Sequence, residues 1–291
     1  MEWAKENATW PLAQHSRFVV CKPHRWHIQD IGSGPTLLLL HGAGGSTHSW
    51  RHLIPYLNHY RAVAIDLPGQ GFTRLGAQRR CKLDAMAEDI IALLNAENLR
   101  PAAIIGHSAG AAIALRVAER MPVPQIIGIN AALDTFHGVA GVLFPLLAKA
   151  IATLPFAASV FSATASQGQT VDRIIKGTGS TLSTADRAYY RRLVASSDHV
   201  HGTLQMMAQW QLEPLLSRLP EHGTQTILIA AENDKAVPPQ TTQHIAAHMP
   251  NAQAIMIPHL GHLAHEEDAG AIAPHILNAL TPQTQTKAST I

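Results

Sequence analysis

Short apolar runs alternate along the chain with stretches of helical periodicity. Six runs are continuous and bounded by turn residues, as expected of strands buried on both faces of a sheet. They are Thr36–Leu40, Ala62–Ile65, Ala102–Ile105, Ile126–Ile129, Thr226–Ala230 and Ala254–Ile257. Helical patterns cover His48–Leu57, Leu83–Glu97, Ala109–Arg120, Gln240–His248 and Glu266–Leu280. This alternation, preceded by a hairpin pattern over Arg17–Val20 and Trp26–Ile31, predicts an α/β fold with a mostly parallel sheet between helices.

One segment breaks the alternation. From about Asp134 to Gln211 no strand pattern occurs, and helical stretches rich in Ala, Leu and Phe replace it. An insertion between two sheet strands would lie over the strand ends as a lid. We therefore predict a core formed by residues 1–133 and 213–291 and a helical lid formed by residues 134–212, within a length that one domain with an insertion can reach.

Composition excludes several classes of protein. Hydrophobic residues make up 46% and charged residues 14% of the chain, which rules out a disordered polymer. A formal charge of +2 without long basic runs gives no reason to expect nucleic-acid binding. Cys21 and Cys81 lack metal-ligand spacing and indicate free thiols. No signal-peptide pattern and no 18-residue apolar run occurs, so we expect a cytoplasmic protein.

The strand-to-helix junction at Gly106-His107-Ser108-Ala109-Gly110 has the Gly-x-Ser-x-Gly pattern of a nucleophile elbow. Such a turn exposes the serine hydroxyl in strained backbone geometry, and side chains two residues before and after it would collide. A tight glycine turn without chemistry would have the same pattern. The buried strand before it and the helix after it favour Ser108 as a nucleophile.

A glycine-rich loop, His41-Gly42-Ala43-Gly44-Gly45, follows an earlier buried strand. Its backbone could turn back beside the elbow, so that the N–H groups of Ala43 and Ala109 form an oxyanion hole. Which residue of Ala43–Gly45 donates stays open. We interpret His41 as a structural histidine that bonds neighbouring loops.

The candidate base lies after the last strand, in His259-Leu260-Gly261-His262-Leu263-Ala264-His265. His262 follows a glycine at a loop apex and could reach Ser108. His259 and His265 flank it at the three-residue spacing of metal ligands, but Gly261 would interrupt the ordered helix that a metal site needs. We therefore favour a base and predict neither a metal nor a cofactor.

The candidate acid is Asp234, at the turn after the strand that ends near Ala230. A carboxylate there could orient the imidazole and stabilise the imidazolium. Glu232 and Asp134 remain alternatives, whereas Asp66, in a rigid turn with proline and glycine, is interpreted as a structural cap. The order Ser108, Asp234, His262 matches the serine–acid–histidine order of α/β-hydrolases.

The first half of the lid sequence is strongly apolar. Residues 138–160 contain Lys149 as the only charge, and two prolines there favour short amphipathic helices over a membrane span. Such a lid could cover an apolar pocket, touch a membrane surface or be buried in itself. The candidate substrate-binding residues are Phe144, Leu147, Met206, Met207 and Trp210. His199 and His201 could reach a ligand, although surface or capping roles are favoured.

The chain resembles the α/β-hydrolase superfamily over residues 15–280. The stretches that carry the likeness are Leu37–Arg51, Asp66–Arg74, Gly106–Arg116 and His259–Glu267. Within the superfamily it is most similar to the magnesium-chelatase accessory proteins of bacteriochlorophyll biosynthesis. The lid stretches Phe136–Lys149, Lys176–Ser180 and His199–Trp210 single out that group.

The resemblance implies a photosynthetic setting and a tetrapyrrole-related ligand, with a magnesium chelatase subunit as a candidate partner. Our first hypothesis is a serine hydrolase acting on an ester or acyl bond of an apolar substrate. The alternatives are a non-catalytic porphyrin-binding or delivery protein and a general carboxylesterase in peripheral contact with the photosynthetic membrane, since fold alone does not fix function.

Overall fold

The computed structural model describes residues 1–76, 80–134, 158–159, 162 and 169–281. The described residues form one eight-stranded sheet with the spatial order β1-β2-β4-β3-β5-β6-β7-β8. The strands are β1 Ser16–Cys21, β2 His24–Ile31, β3 Thr36–Leu40, β4 Arg61–Ile65, β5 Ala103–His107, β6 Gln125–Ile129, β7 Gln225–Ala231 and β8 Ala252–Ile257. All six predicted runs contribute strands to this sheet, although Ala102 precedes β5, and β8, at the edge of the sheet, is mostly half-buried instead of buried on both faces.

The predicted hairpin is β1 and β2, which pair antiparallel, and β2 also pairs antiparallel with β4. From β4 to β8 every neighbouring pair is parallel. The carboxyl ends of these parallel strands therefore meet at one edge, where ligands bind in open α/β sheets. The predicted fold class is confirmed.

The main helices of the core are α2 Leu83–Ala96, α3 Ala109–Ala118, α8 Pro239–His248 and α10 Ala269–Leu280. Shorter helices are α1 Trp3–Glu6, α7 Glu213–Leu216 and α9 Ala264–Glu267. Between β6 and β7 the insertion contributes α4 Thr170–Gly177, α5 Thr184–Val194 and α6 Ser197–Gln209. No strand occurs in the part of the insertion that the structure describes, and the exact division between core and lid stays a prediction.

Two predicted helices are wrong in detail. The stretch His48–Leu57 forms two 3₁₀ segments, Thr47–Trp50 and Ile54–Leu57, because Pro55 disfavours helical geometry before it and supplies no N–H. The stretch Glu266–Leu280 divides at Asp268, whose φ of −147° is not helical and whose carboxylate accepts the N–H of Ala271 at 3.0 Å. Asp268 thus caps α10.

The apolar core has two layers, one on each face of the sheet. Along β3, Leu38 and Leu40 enter the layer of α2 and α3. Leu37 and Leu39 enter the layer of α10 and the 3₁₀ segments. All four are fully buried, which explains why this strand is continuously apolar instead of alternating. Burial on both faces fixes the strand ends and the loops that leave them.

Candidate active site

The turn from β5 into α3 places Ser108 at the strand edge. Ser108 has φ 52° and ψ −117°, a strained conformation for a residue with a side chain. A Cβ at Gly106 would lie 2.5 Å from the backbone of Ala111, and one at Gly110 would lie 2.1 Å from the carbonyl oxygen of Leu40. The two glycines of the motif are therefore required by close backbone approach.

The predicted base and acid are in contact. The Nδ1–H of His262 donates to Oδ2 of Asp234 over 2.8 Å, and the two side chains are 10% and 1% exposed. The other carboxylate oxygen accepts the N–H groups of Ala236 and Val237, each at 2.8 Å. These bonds hold the carboxylate and fix the imidazole tautomer with a free electron pair on Nε2, as a general base requires.

The alternative acids occupy other positions. Glu232 is exposed on the loop before Asp234, and Asp134 lies after β6. Asp66 is fully buried and accepts the N–H groups of Thr47 at 2.7 Å and Phe72 at 2.8 Å. The structural interpretation of Asp66 agrees with these contacts, and the contact with His262 is made by Asp234.

Two residues that the sequence analysis missed bring His262 beside the elbow. His107, which directly precedes Ser108, donates from Nε2 to the carbonyl oxygen of His262 over 2.8 Å, and the two rings lie 4.8 Å apart. Asn130, after β6, donates to the carbonyl oxygens of Gly261 at 3.0 Å and His262 at 2.8 Å. Burial, assisted by the neighbouring His265 and His262, holds the pKa of His107 well below its usual value, so His107 stays neutral.

The glycine-rich loop after β3 leaves one suitable donor. The N–H of Gly44 donates to Oε1 of Gln70 at 2.7 Å, and that of Gly45 donates to the carbonyl oxygen of Gly42 at 3.0 Å. Of Ala43–Gly45, Ala43 is then the residue whose N–H has no acceptor among the described contacts. Ala109 is the first residue of α3, where N–H groups lack partners within the helix and the positive end of the helix dipole lies.

Helix α6 supports this loop from the lid. His199 is buried; its Nε2 donates to the carbonyl oxygen of Gly44 at 3.2 Å, and its Nδ1 accepts the N–H of Gly71 at 3.0 Å. Burial lowers the pKa of His199 to about 3, so the neutral form persists. His199 therefore joins the lid to the core from a buried position, which corrects the surface or capping role favoured for it.

The predicted lid residues have different surroundings. Met206 is 1% exposed, and its Sδ accepts a hydrogen bond from Gln70 at 3.2 Å. The role of Met206 in substrate binding stays a prediction. Met207 and Trp210 are half-buried, and Trp210 packs against the main core. Phe144 and Leu147 lie outside the described residues.

The remaining histidines of the motifs have separate surroundings. His41 donates from Nδ1 to the carbonyl oxygen of Gly42 and accepts the N–H of Leu67 at Nε2, which confirms its structural role. His259 is exposed, and His265 is fully buried between the rings of Trp50 and His107. Among the described residues no group of three or more metal-ligating side chains is found.

Among the described residues, none of the helices combines the length and apolarity that a membrane span requires.

Known proteins with similar sequences indicate the same fold. The sequence profile of the alpha/beta hydrolase fold matches residues 35–269. The chain is 44% identical over 276 residues to the magnesium-chelatase 30 kDa subunit of Rhodobacter capsulatus, covering 94% of this chain and 97% of that protein. It is 27% identical over 266 residues to a 2-hydroxy-6-oxo-6-phenylhexa-2,4-dienoate hydrolase of Burkholderia cepacia, covering 85% and 88% of the two chains.

Solved structures show the same fold. A thermophilic esterase from Thermogutta terrifontis superposes with a TM-score of 0.73 at 19% identity, over 91% of this chain and 99% of that one. A bromoperoxidase from Bacillus anthracis superposes with a TM-score of 0.72 at 17% identity, over the same shares of the two chains.

Proposed function

Because the chain belongs to the α/β-hydrolase family, we propose that it is a serine hydrolase with Ser108, His262 and Asp234 as its triad. The observation that carries the proposal is the 2.8 Å hydrogen bond between His262 and Asp234. The carbonyl oxygen of the same His262 accepts a hydrogen bond from His107, the residue directly before Ser108. The strained backbone of Ser108 at the start of α3 supports the nucleophilic role.

The reaction is acyl transfer to serine and then to water. Nε2 of His262 takes the proton of Ser108 as Oγ attacks the carbonyl carbon of an ester, and it returns that proton to the leaving alcohol. Water then attacks the acyl-serine, with His262 taking its proton and returning it to Oγ. The N–H groups of Ala43 and Ala109 stabilise the oxyanion in both steps.

The substrate is proposed to be apolar and related to tetrapyrroles. The relative from Rhodobacter capsulatus is named a magnesium-chelatase subunit, which supports a role in bacteriochlorophyll biosynthesis with a chelatase subunit as partner. The apolar composition of residues 138–160 supports an apolar ligand, and the proposed contacts are Phe144, Leu147, Met206, Met207 and Trp210.

Labelling with a fluorophosphonate, followed by mass mapping, tests the proposed nucleophile. We expect a single adduct on Ser108 that is lost in Ser108→Ala. Ser46 supplies a matched control. Its Oγ also contacts a histidine, at 2.6 Å from Nδ1 of His48, but both residues are fully buried and the probe should not reach them. Ser46→Ala should keep the label, and an unlabelled wild-type protein would contradict the proposal.

That relative is named as a subunit of magnesium chelatase. This favours a second candidate function, that of a binding protein that delivers porphyrin to the chelatase. Complementation of pigment synthesis in a host that lacks its own homologue separates the two. Full rescue by Ser108→Ala supports binding, whereas loss of rescue by a folded Ser108→Ala protein supports catalysis.

A further inference from the structure

A short segment of the lid crosses the loops of the proposed acid and base. We call Thr178–Thr181 the strap; it follows α4 and precedes α5. The carbonyl oxygen of Thr178 accepts the N–H of Lys235 at 3.1 Å and the N–H of His262 at 3.3 Å. Since Lys235 directly follows Asp234, one lid carbonyl joins the backbone of the acid loop to that of the base loop.

The strap also receives the N–H groups on either side of His262. The N–H of Leu263 donates to Oγ of Ser180 at 2.8 Å. The N–H of Gly261 donates to Oε1 of Glu267 at 2.9 Å, and Oε2 of the same carboxylate accepts the N–H of Thr181 at 3.0 Å. Three consecutive N–H groups of the base loop are thus held by the strap or by a carboxylate that is bonded to it.

The strap and these loops are in close backbone contact. Gly179 has φ +84°, and a Cβ there would lie 1.9 Å from the carbonyl oxygen of Asn233. A Cβ at Gly261 would lie 2.4 Å from the carbonyl group of Gly179. Side chains at either position would separate the strap from the acid and base loops, so the contact depends on both glycines.

Apolar packing joins the same parts. The side chain of Leu263 is buried with Val171, Ile175 and Leu182, which all belong to the lid. The residue after the proposed base is therefore anchored in the apolar interior of the lid. A displacement of α4 would move Leu263 and, with it, the backbone of His262.

We propose that Ser180 is a positioning residue for His262 and that the strap makes the orientation of the base depend on the lid. The inference rests on the proposed function. A substrate that moves the lid would shift His262 relative to Ser108, and displacements of about 1 Å at a reacting group cost up to about 10²-fold in rate. From the core side, His107 and Asn130 hold only the carbonyl oxygen of His262.

The test compares Ser180→Ala with Ser183→Ala in the full chain. Ser183 lies three residues away and caps α5 by accepting the N–H of Asp186 at 3.1 Å, so its loss perturbs the lid without removing an acceptor from the base loop. We expect Ser180→Ala to lower kcat for a p-nitrophenyl ester by roughly 10-fold, with KM changed by less than about twofold. Ser183→Ala should keep the wild-type kcat.

Hydrogen exchange measured by mass spectrometry supplies a readout that does not need activity. Amides of residues 259–263 should exchange roughly 10-fold faster in Ser180→Ala than in Ser183→Ala. Glu267→Gln, which replaces one carboxylate oxygen by a donor, should give the same change if Ser180→Ala does not fold. Equal exchange in all variants, or a changed KM with an unchanged kcat, overturns the inference.

The exchange result is independent of the proposed function. A wild-type protein that neither cleaves esters nor takes up the fluorophosphonate label would refute the hydrolase proposal. Faster exchange at residues 259–263 would still show that the strap positions His262, and unaltered exchange would refute the strap.

Discussion

The sheet and the lid hold the candidate active site in different ways. The sheet positions Ser108, Asn130 and Asp234 through strands whose side chains are buried on both faces. The described part of the lid reaches the same loops mainly through hydrogen bonds to backbone groups, at the strap and at His199. Apolar burial thus sets where the loops leave the sheet, and we infer that polar contacts from the lid set how they are oriented.

This difference predicts a gradient of effects. Substitutions in the proposed triad should give the largest losses of activity. Substitutions between strap and base loop should give intermediate losses, and substitutions of residues that support the site from further away should give small ones.

The largest effect is expected for Asp234→Asn. The amide nitrogen of the new Asn cannot accept the Nδ1–H of His262. The variant therefore favours the imidazole tautomer with its proton on Nε2, which cannot act as the base, and kcat should fall by about 10⁴-fold. Ester turnover measures the loss, and thermal unfolding checks the fold. Glu232→Gln is the control, because Glu232 is exposed on the same loop and was an alternative acid. Comparable losses in both variants would contradict the assignment of the acid.

The next effect is expected for Gly261→Ala. A Cβ at this position would lie 2.4 Å from the backbone of Gly179, so strap and base loop must separate, at a cost of about 3 kcal/mol in the free energy of unfolding. Urea unfolding gives this number, and kcat should fall with it by about 10²-fold.

Gly223→Ala is the matched control, because a Cβ there has no heavy atom within 4 Å. The same substitution in open space should change stability by less than about 1 kcal/mol. If Gly261→Ala were as stable and active as Gly223→Ala, the strap would not restrain the base loop.

The difference between sheet and lid also explains which features of the fold and of the site could be predicted from the sequence. The strands were predictable because burial on both faces makes a run such as Thr36–Leu40 continuously apolar. The turn at Ser108 was predictable because it excludes side chains at Gly106 and Gly110, and this leaves a local pattern. Burial on both faces and steric exclusion thus each leave a pattern in neighbouring residues of the sequence.

The contacts between loops were not predictable in the same way. Asn130 and Gln70 act through hydrogen bonds to backbone groups of Gly261 and Gly44, and such a bond sets no periodicity around the residue that makes it. The contact between Gln70 and Met206 was not predictable either, because an apolar residue on a lid helix shows the same sequence pattern whether or not a glutamine is bonded to it. The predicted helix Glu266–Leu280 continues through Asp268, because the sequence does not show the non-helical backbone angle with which Asp268 caps α10.

A smaller effect is expected for Gln70→Ala. The variant removes the acceptor of the Gly44 N–H and the donor to Met206, so the loop that presents the N–H of Ala43 loses one support. We expect kcat to fall by roughly 10-fold. Gln253→Ala, at an exposed position of β8, should leave kcat unchanged. An unchanged kcat in Gln70→Ala would show that the other contacts of the loop, including that of His199, are sufficient to hold it.

The smallest effect is expected for His265→Phe. His265 is fully buried between Trp50 and His107, and neither ring nitrogen has a hydrogen-bond partner in the described structure. Burial, with the nearby Arg51 and His262, lowers its pKa from 6.5 to about 3. Between these values the unfolded chain binds a proton that the folded protein does not, so the stability contributed above pH 6.5 is lost as the pH falls toward 3.

For one such histidine the free energy of unfolding falls by up to about 1.4 kcal/mol per pH unit. Phenylalanine cannot titrate, so urea unfolding at pH 7.5 and 4.5 should show a shallower loss of stability in His265→Phe than in wild type. At pH 7.5 the variant should be at least as stable, because it removes two unpaired buried nitrogens. His59→Phe, at an exposed position, should keep the wild-type slope. An unchanged slope in His265→Phe would mean that this ring reaches water in the folded protein, and that the packing between base loop and core is looser than its buried contacts indicate.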